Sequence, residues 1–264
     1  MSNRFDSEHR YLTLKVRVRT KQHDPHVDRE IAVSNHLENF DHIGKARVRT
    51  VLDSFDIVGP SGTHKCLLYQ PLSWTFATLL DLLPDKRFPK DLVQQSAQLI
   101  LISLDYLHKC NVVHTDLTPN NILMKIEDES ILPKIAQAEI EHPFPRMIRP
   151  DRTVYVSRLM PASPGQPVIC DFGEARVGPN KHTGDIMPDI MRAPEVILGM
   201  GWDAQVDIWA LTITVSTLFT RYLIALCHFF ILSCLNFADL TIIDMASSRR
   251  PSLVLRYEGR DAQR

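Results

Sequence analysis

Between residues 11 and 18 apolar and polar side chains alternate, with Leu12, Leu14, Val16 and Val18 set against Thr13, Lys15 and Arg17. A period of two is that of a half-buried strand, and it assigns Lys15 to the polar face. From Asp28 to Leu37 the spacing lengthens. Ile31, Val33 and Leu37 fit a short helix, with the acidic Asp28 near its start and Glu30 in its first turn. Val51 to Ile57 and Lys65 to Tyr69 read as two more strands, separated by the turn signal Gly59-Pro60-Ser61-Gly62.

Beyond this strand-rich part the pattern becomes helical. Leu92 to Lys109 carries Val93, Ala97, Ile100, Leu101, Leu104 and Leu107 at three- and four-residue spacings, which predicts a long buried helix. Short strands are expected at Ile122 to Lys125 and at Val168 to Cys170. Residues 127–167 between them hold Pro133, Pro143, Pro145, Pro150, Pro161, Pro164 and Pro167, too many ladder-breaking residues for anything but a surface insert. Val206 to Phe219 is an apolar helix. Tyr222 to Phe237 is apolar almost throughout, but Arg221 divides it from the preceding helix into pieces shorter than the roughly 20 residues a bilayer span needs. No membrane association is expected, and no repeat of fixed period is present.

Composition narrows the function classes. In 264 residues the formal charge is -1, with 44% hydrophobic and 23% charged residues, so nothing drives direct nucleic-acid binding. The five cysteines, Cys66, Cys110, Cys170, Cys227 and Cys234, are odd in number and lack paired metal-ligand spacing. They read as reduced thiols of a protein in the cytoplasm, the nucleus or both. Residues 1–10 are polar, without the apolar stretch of a secretory signal, and are expected to be disordered.

The chemistry concentrates at four positions. Asp116 and Asn121 are five apart and straddle Pro119, so a rigid loop would aim a carboxylate at a hydroxyl while an amide oxygen reaches a metal. Asp171, in Cys170-Asp171-Phe172-Gly173, follows a short apolar strand and offers a hard oxygen ligand suited to Mg²⁺. Lys15 is available to hold phosphates, and Glu30, fifteen residues later, to steady its ammonium. Phosphoryl transfer asks for this set: a base, a metal and a cation. Each feature alone is weak, since an Asp-Phe-Gly is usually a turn and His114 alone reads as a satisfied core histidine. In order they are specific: His114-Thr115-Asp116-Leu117-Thr118-Pro119-Asn120-Asn121, then Asp171-Phe172-Gly173, then Ala193-Pro194-Glu195, then Asp207-Ile208-Trp209.

From about Tyr11 to Phe219 the chain therefore resembles the eukaryotic protein kinases. It is most similar to fungal relatives of the SR-protein kinases, through Thr115 where most kinases have Arg, Cys170-Asp171-Phe172-Gly173-Glu174-Ala175-Arg176, the long insert, and Arg192-Ala193-Pro194-Glu195-Val196-Ile197-Leu198-Gly199. The resemblance implies an α+β bilobal fold binding ATP and Mg²⁺ in its cleft, with a partial N-lobe at 11–72 and a partial C-lobe at 73–220 that carries the insert 127–167. Residues 221–264 form an atypical tail, apolar and then basic, that matches nothing in the family and looks like a gene-model artefact. By motif position Asp116 would be the catalytic base and Asn121 and Asp171 the metal ligands. Lys15 would hold the phosphates, paired with Glu30. Tyr69 would be the gatekeeper before a hinge at Gln70-Pro71-Leu72, with Leu72 offering its backbone to adenine, and Asp207 would anchor the catalytic loop. The substrates implied are proteins, with Arg/Ser-rich ones as the family candidates.

Three departures stand beside this. None of the fourteen residues before Lys15 is glycine, so the glycine-rich phosphate-covering loop of the family has no counterpart here. Thr118 replaces a lysine that contacts the transferring phosphate, and Glu195 loses an arginine partner from the later C-lobe. With Thr115 the need for a phosphorylated activation loop lapses. The competing expectation is a pseudokinase acting as a binding module. A small-molecule phosphotransferase of the aminoglycoside or choline type, which shares the Asp and Asn five apart, is opposed by Ala193-Pro194-Glu195 and Asp207-Ile208-Trp209.

Overall fold

The computed structural model describes residues 11–17, 25–59, 62–150, 152–156, 158, 160, 163 and 165–219. The expected disorder of residues 1–10 and the tail 221–264 lie outside these. Strand β1 spans Thr13–Val16 and helix α1 spans Pro25–Glu38. The helix begins three residues before the periodicity suggests, because Pro25 has the φ of a first helical turn and no N–H to leave unpaired there. β2 (Asp53–Gly59) and β3 (Gly62–Tyr69) form the expected hairpin, closing at Gly59 opposite Gly62, and β1 pairs antiparallel with the other edge of β3. Val27, Val51, Leu67 and Tyr69 are buried between this sheet and α1, with Ile31 packed against them.

The alternation along β1 is right in period and opposite in direction. Leu14 and Val16 are 47% and 50% exposed, whereas the Lys15 ammonium turns under the sheet toward α1. The polar face predicted for Lys15 is thus the interior face. A strand's period fixes which residues share a side, and only the partner layer decides which side is buried; here that layer is α1, which presents the carboxylate of Glu30.

After β3 come β4 (Leu72–Thr75), α2 (Phe76–Leu82), α3 (Lys90–Lys109), β5 (Val112–Val113) and β6 (Ile122–Lys125). α3 buries Val93, Ile100, Leu104 and Leu107 of the stripe its spacing predicts, while Ala97 is half-buried and Leu101 is exposed on the other face. These pack with Leu37 of α1 and with Phe76, Leu117 and Ile122 in the main core. The insert is built from α4 (Ile131–Glu141) and a hairpin of β7 (Arg146–Ile148) and β8 (Thr153–Tyr155). Of its described prolines, Pro133 lies in the first turn of α4, Pro145 and Pro150 flank β7, and Pro167 is the first residue of the strand after the insert, opposite Met124. The insert closes back on the body through Trp74 Nε1, which donates to Met160 O at 2.5 Å, and Ser163 Oγ, which donates to Lys125 O at 3.0 Å.

β9 (Pro167–Ile169) returns beside β6, and β10 (Arg176–Val177) pairs with β5. α5 (Pro194–Ile197) and α6 (Gln205–Phe219) complete the described chain. α6 carries Val206, Ala210, Leu211 and Leu218 into the core, with Asp207 among them. The result is a mixed α+β fold with a small sheet-and-helix part joined to a larger helical part. Among the described residues no helix is long and apolar enough to cross a membrane. Leu107, wholly buried on α3, is expected to cost about 2–5 kcal/mol when cut to alanine. Urea denaturation should show this as a lower midpoint at unchanged slope.

Candidate active site

Four chain segments converge because two short ladders hold them. β6 pairs with β9, Ile122 opposite Ile169, and Cys170 N donates to Asn121 O at 2.9 Å, so Asn121 and Asp171 emerge side by side although 50 residues separate them. β5 pairs with β10, Val113 opposite Arg176, which draws His114-Thr115-Asp116 beneath Phe172 to Ala175.

The loop between β5 and β6 hangs from one carboxylate. Asp207, fully buried on α6, accepts from His114 N at 2.8 Å and Thr115 N at 2.9 Å, and bonds His108 Nε2 at 2.9 Å. These bonds hold Thr115 at φ 66°, a left-handed conformation that a β-branched residue adopts only under constraint. Asp171 is left-handed as well, at φ 69°. His114 is a satisfied core histidine, as its type suggests. Its Nδ1 accepts from Asp116 N at 3.2 Å, so the proton is on Nε2, which donates to Cys170 O at 3.0 Å, and the ring meets Phe172 edge-on.

At the mouth of the loop, Asn121 Nδ2 donates to both the backbone O and Oδ2 of Asp116, each at 2.8 Å. With Nδ2 bonded to Asp116, Oδ1 is the acceptor atom of the Asn121 amide. Burial raises the Asp116 carboxyl above the usual aspartate range; the charges of Asp171 and Glu174 add to this, and His114 and Asn121 oppose it. Asp171 goes the other way. Burial would raise it, but the ammonium of Lys15 and the N–H of Gly173 outweigh that and hold it below the usual range. Two carboxylates in one cleft thus differ in proton affinity because one faces a cation.

Lys15 Nζ is 3.0 Å from Glu30 Oε2 and 3.4 Å from Asp171 Oδ1, linking β1, α1 and the loop after β9. Glu30 is 4% exposed in the buried stripe of α1, and its other oxygen accepts from Tyr69 OH at 2.5 Å. Burial raises the Tyr69 phenol first and the Glu30 charge second, so the hydroxyl stays protonated and donates. Arg49 lies over the Tyr69 ring at 4.5 Å and donates to Gln70 O at 3.1 Å, so Gln70's carbonyl already has one partner. Leu72 enters β4 opposite Lys125. Thr118 O closes the loop by accepting from Asn121 N at 2.9 Å, and the adjacent Pro119 O accepts from Ala77 N on α2.

No protein-family model matches the chain. Curated relatives do. The chain is 39% identical over 210 residues to a serine/threonine protein kinase of Aspergillus fumigatus, covering 76% of this chain and 49% of that protein. It is 30% identical over 232 residues to the serine/threonine-protein kinase SRPK of Physarum polycephalum, covering 80% of this chain and 54% of the relative. A solved kinase domain superposes with a TM-score of 0.59 over 80% of this chain and 57% of its own length, at 24% identity, which speaks for the fold alone. The chain is a homologue of the serine/threonine protein kinases. It spans about half the length of the curated relatives it matches.

Of the eight site residues read from sequence, Lys15, Glu30, Tyr69 and Asp171 form one line of contacts and Asp116 and Asn121 a bonded pair, while Gln70 meets Arg49 and Leu72 lies in β4 opposite Lys125. Sequence reasoning missed three contacts: the Tyr69 hydroxyl on Glu30, the His108 ring on Asp207, and a group from α1 around Glu174, where His26 Nδ1 is 2.8 Å from the carboxylate. The first two carry no sequence signal, because each depends on which elements pack. His26 and Arg29, three residues apart and just before Glu30 at the start of a helix, are a trace of the third.

Asp207→Ala should cost about 3–5 kcal/mol in denaturant unfolding, since it orphans two buried N–H groups. Asp116→Asn should act in the opposite sense. At neutral pH the variant is expected to be more stable than the parent, because it removes a charge that burial disfavours. The gain should shrink as pH falls through the raised carboxyl and vanish below the ordinary value of 3.8, where Asp116 is protonated whether folded or not. Melting midpoints across that range check it.

Proposed function

We propose that this chain is the catalytic part of an ATP-dependent protein serine/threonine kinase, with Arg/Ser-rich proteins as substrates. The observation that carries the reading is the line Asp171, Lys15, Glu30, Tyr69, with successive contacts of 3.4, 3.0 and 2.5 Å. A cation held between a buried carboxylate and a partly exposed one has its position set from one side and its charge available on the other. In this role Lys15 binds the α- and β-phosphates of ATP, and Glu30, itself held by Tyr69, keeps the ammonium from swinging away. Gln70 and Leu72 supply backbone groups toward the adenine edge.

Asn121 Oδ1 and the Asp171 carboxylate are hard oxygens on adjacent chain segments, the donor chemistry that fits Mg²⁺ together with phosphate oxygens and water. The ion, when bound, neutralises charge on the phosphates. Asp116 orients the substrate hydroxyl and accepts its proton. Its raised proton affinity suits that task, and Asn121 occupies only one of its two oxygens, which leaves the other for the hydroxyl. The Arg/Ser-rich preference rests on the likeness to SRPK and to the protein kinase dsk1 of Schizosaccharomyces pombe, 35% identical over 127 residues.

A second reading has its own observation. Thr118 offers no cation to the transferring phosphate, and a chain with this loop could bind MgATP as a module without passing phosphate on. One paired experiment separates them. MgATP should raise the melting midpoint of the chain, and Asp171→Asn should remove that shift. Phosphate should pass to an Arg/Ser-rich peptide at a rate that Asp116→Ala lowers by about 10²–10⁴-fold. Stabilisation without transfer favours the module, and absence of both rejects either reading. Thr118→Lys should raise the transfer rate by about 10²-fold. Phosphatase treatment should leave it unchanged, since Thr115 Oγ1 bonds Glu174 O at 2.7 Å where an arginine would await a phosphate.

A further inference from the structure

The Lys15 to Glu30 contact exists only while α1 is held against the cleft. The two halves of α1 are held differently. Its C-terminal half is fastened to the helical part by hydrogen bonds that involve backbone carbonyls and no carboxylate: Tyr106 OH donates to Leu37 O at 2.6 Å, and His36 Nε2 bonds Cys110 O at 2.7 Å. Its N-terminal half, which carries Glu30, meets the segment after Asp171 through charge. His26 Nδ1 is 2.8 Å from Glu174 Oε1 and 3.3 Å from Gly173 O, and Arg29 Nη1 is 3.6 Å from Glu174 Oε2 and 2.6 Å from Gly173 O.

Glu174 is itself fixed from below. Its carbonyl oxygen accepts from Thr115 Oγ1 and from the Arg176 guanidinium. Arg176 is destabilised as a cation by burial and then by the charge of Arg29. His26 and Arg29 therefore reach the Glu174 carboxylate and Arg176 its backbone carbonyl, and without that carboxylate the charges of Arg29 and Arg176 would oppose each other unrelieved across the junction of α1 and the Asp171 loop.

We infer that Glu174 is a positioning residue, a permanent anion that clasps His26 and Arg29 and so keeps α1 in the geometry where Glu30 reaches Lys15. Positioning of this helix and of the metal-binding aspartate is what phosphorylation of an activation loop controls in protein kinases. A carboxylate encoded three residues after Asp171 supplies the negative charge without modification. Thr115 completes the arrangement: a short hydroxyl at that position bonds the Glu174 backbone, whereas an arginine would add a further guanidinium beside Arg29 and Arg176.

The inference rests on the kinase reading for its purpose but not for its test. Backbone hydrogen exchange is followed along α1 in the full chain, for the parent, Glu174→Gln, Glu174→Lys and Arg29→Gln. In the two neutral variants amides from Glu30 to Val33 should exchange about fivefold faster, as expected for losing one or two partly exposed ion pairs, while Ser34 to Leu37 keep parental rates. Glu174→Lys should exceed both. Where phosphate transfer is measurable, kcat should fall by a similar factor with KM for the peptide unchanged. Equal exchange in parent and Glu174→Lys overturns the clasp, as does acceleration spread evenly over both halves of α1. A parent that transfers no phosphate rejects the kinase reading and leaves the exchange result to judge the clasp.

Discussion

One buried carboxylate supports the loop between β5 and β6. Asp207 lies in the apolar stripe of α6, removed from water, and burial of a charge is tolerable only when hydrogen bonds replace its hydration. It has three such bonds, two of them to consecutive backbone N–H groups at the start of the loop. That demand acts in both directions. The loop satisfies the carboxylate, and the carboxylate forces Thr115 into a left-handed turn it would not otherwise take. With the turn set, His114 reaches across to Cys170 O, Asp116 accepts from Asn121 Nδ2, and Thr115 Oγ1 finds Glu174 O. The core of the helical part and the cleft are thus one network rather than a scaffold with a site added.

The opposite wall of the cleft is organised by a lysine. Lys15 bridges a buried glutamate on α1 and an aspartate on the loop after β9, while Tyr69 holds the glutamate from behind. The electrostatic outcome is that two aspartates brought close together differ in proton affinity. Asp171 faces the Lys15 ammonium and is held below the usual aspartate range. Asp116 has no lysine or arginine against it among the described residues, is buried near Asp171 and Glu174, and is raised above that range.

Glu174 links the two walls. It borders the Thr115 turn through its backbone and α1 through its side chain, so whatever moves α1 is felt at the loop and the reverse. The interface is built of partly exposed charges, which are individually weak and easily altered by single substitutions. The C-terminal half of α1, by contrast, is tied by hydrogen bonds to α3 and Cys110 and packs Val33 and Leu37 into the main core.

Spacing along the chain determined a good deal by itself. The helices α3 and α6, the β2 to β3 hairpin, and the ordered set Asp116, Asn121, Asp171 and Lys15 were all legible, because periodicity and short motifs are local properties. The helix and hairpin within the proline-rich insert were not, since prolines at turns and in a first helical turn look in sequence like prolines that forbid structure. The direction of β1 was inverted for a related reason: alternation says which residues share a face, and only the arrival of α1 with Glu30 makes the lysine face the inner one. Tyr69 on Glu30, His108 on Asp207, and His26 and Arg29 on Glu174 were decided by tertiary structure alone. Each joins residues that lie 39 to 148 positions apart, and no local pattern encodes which side chains meet when separate elements pack.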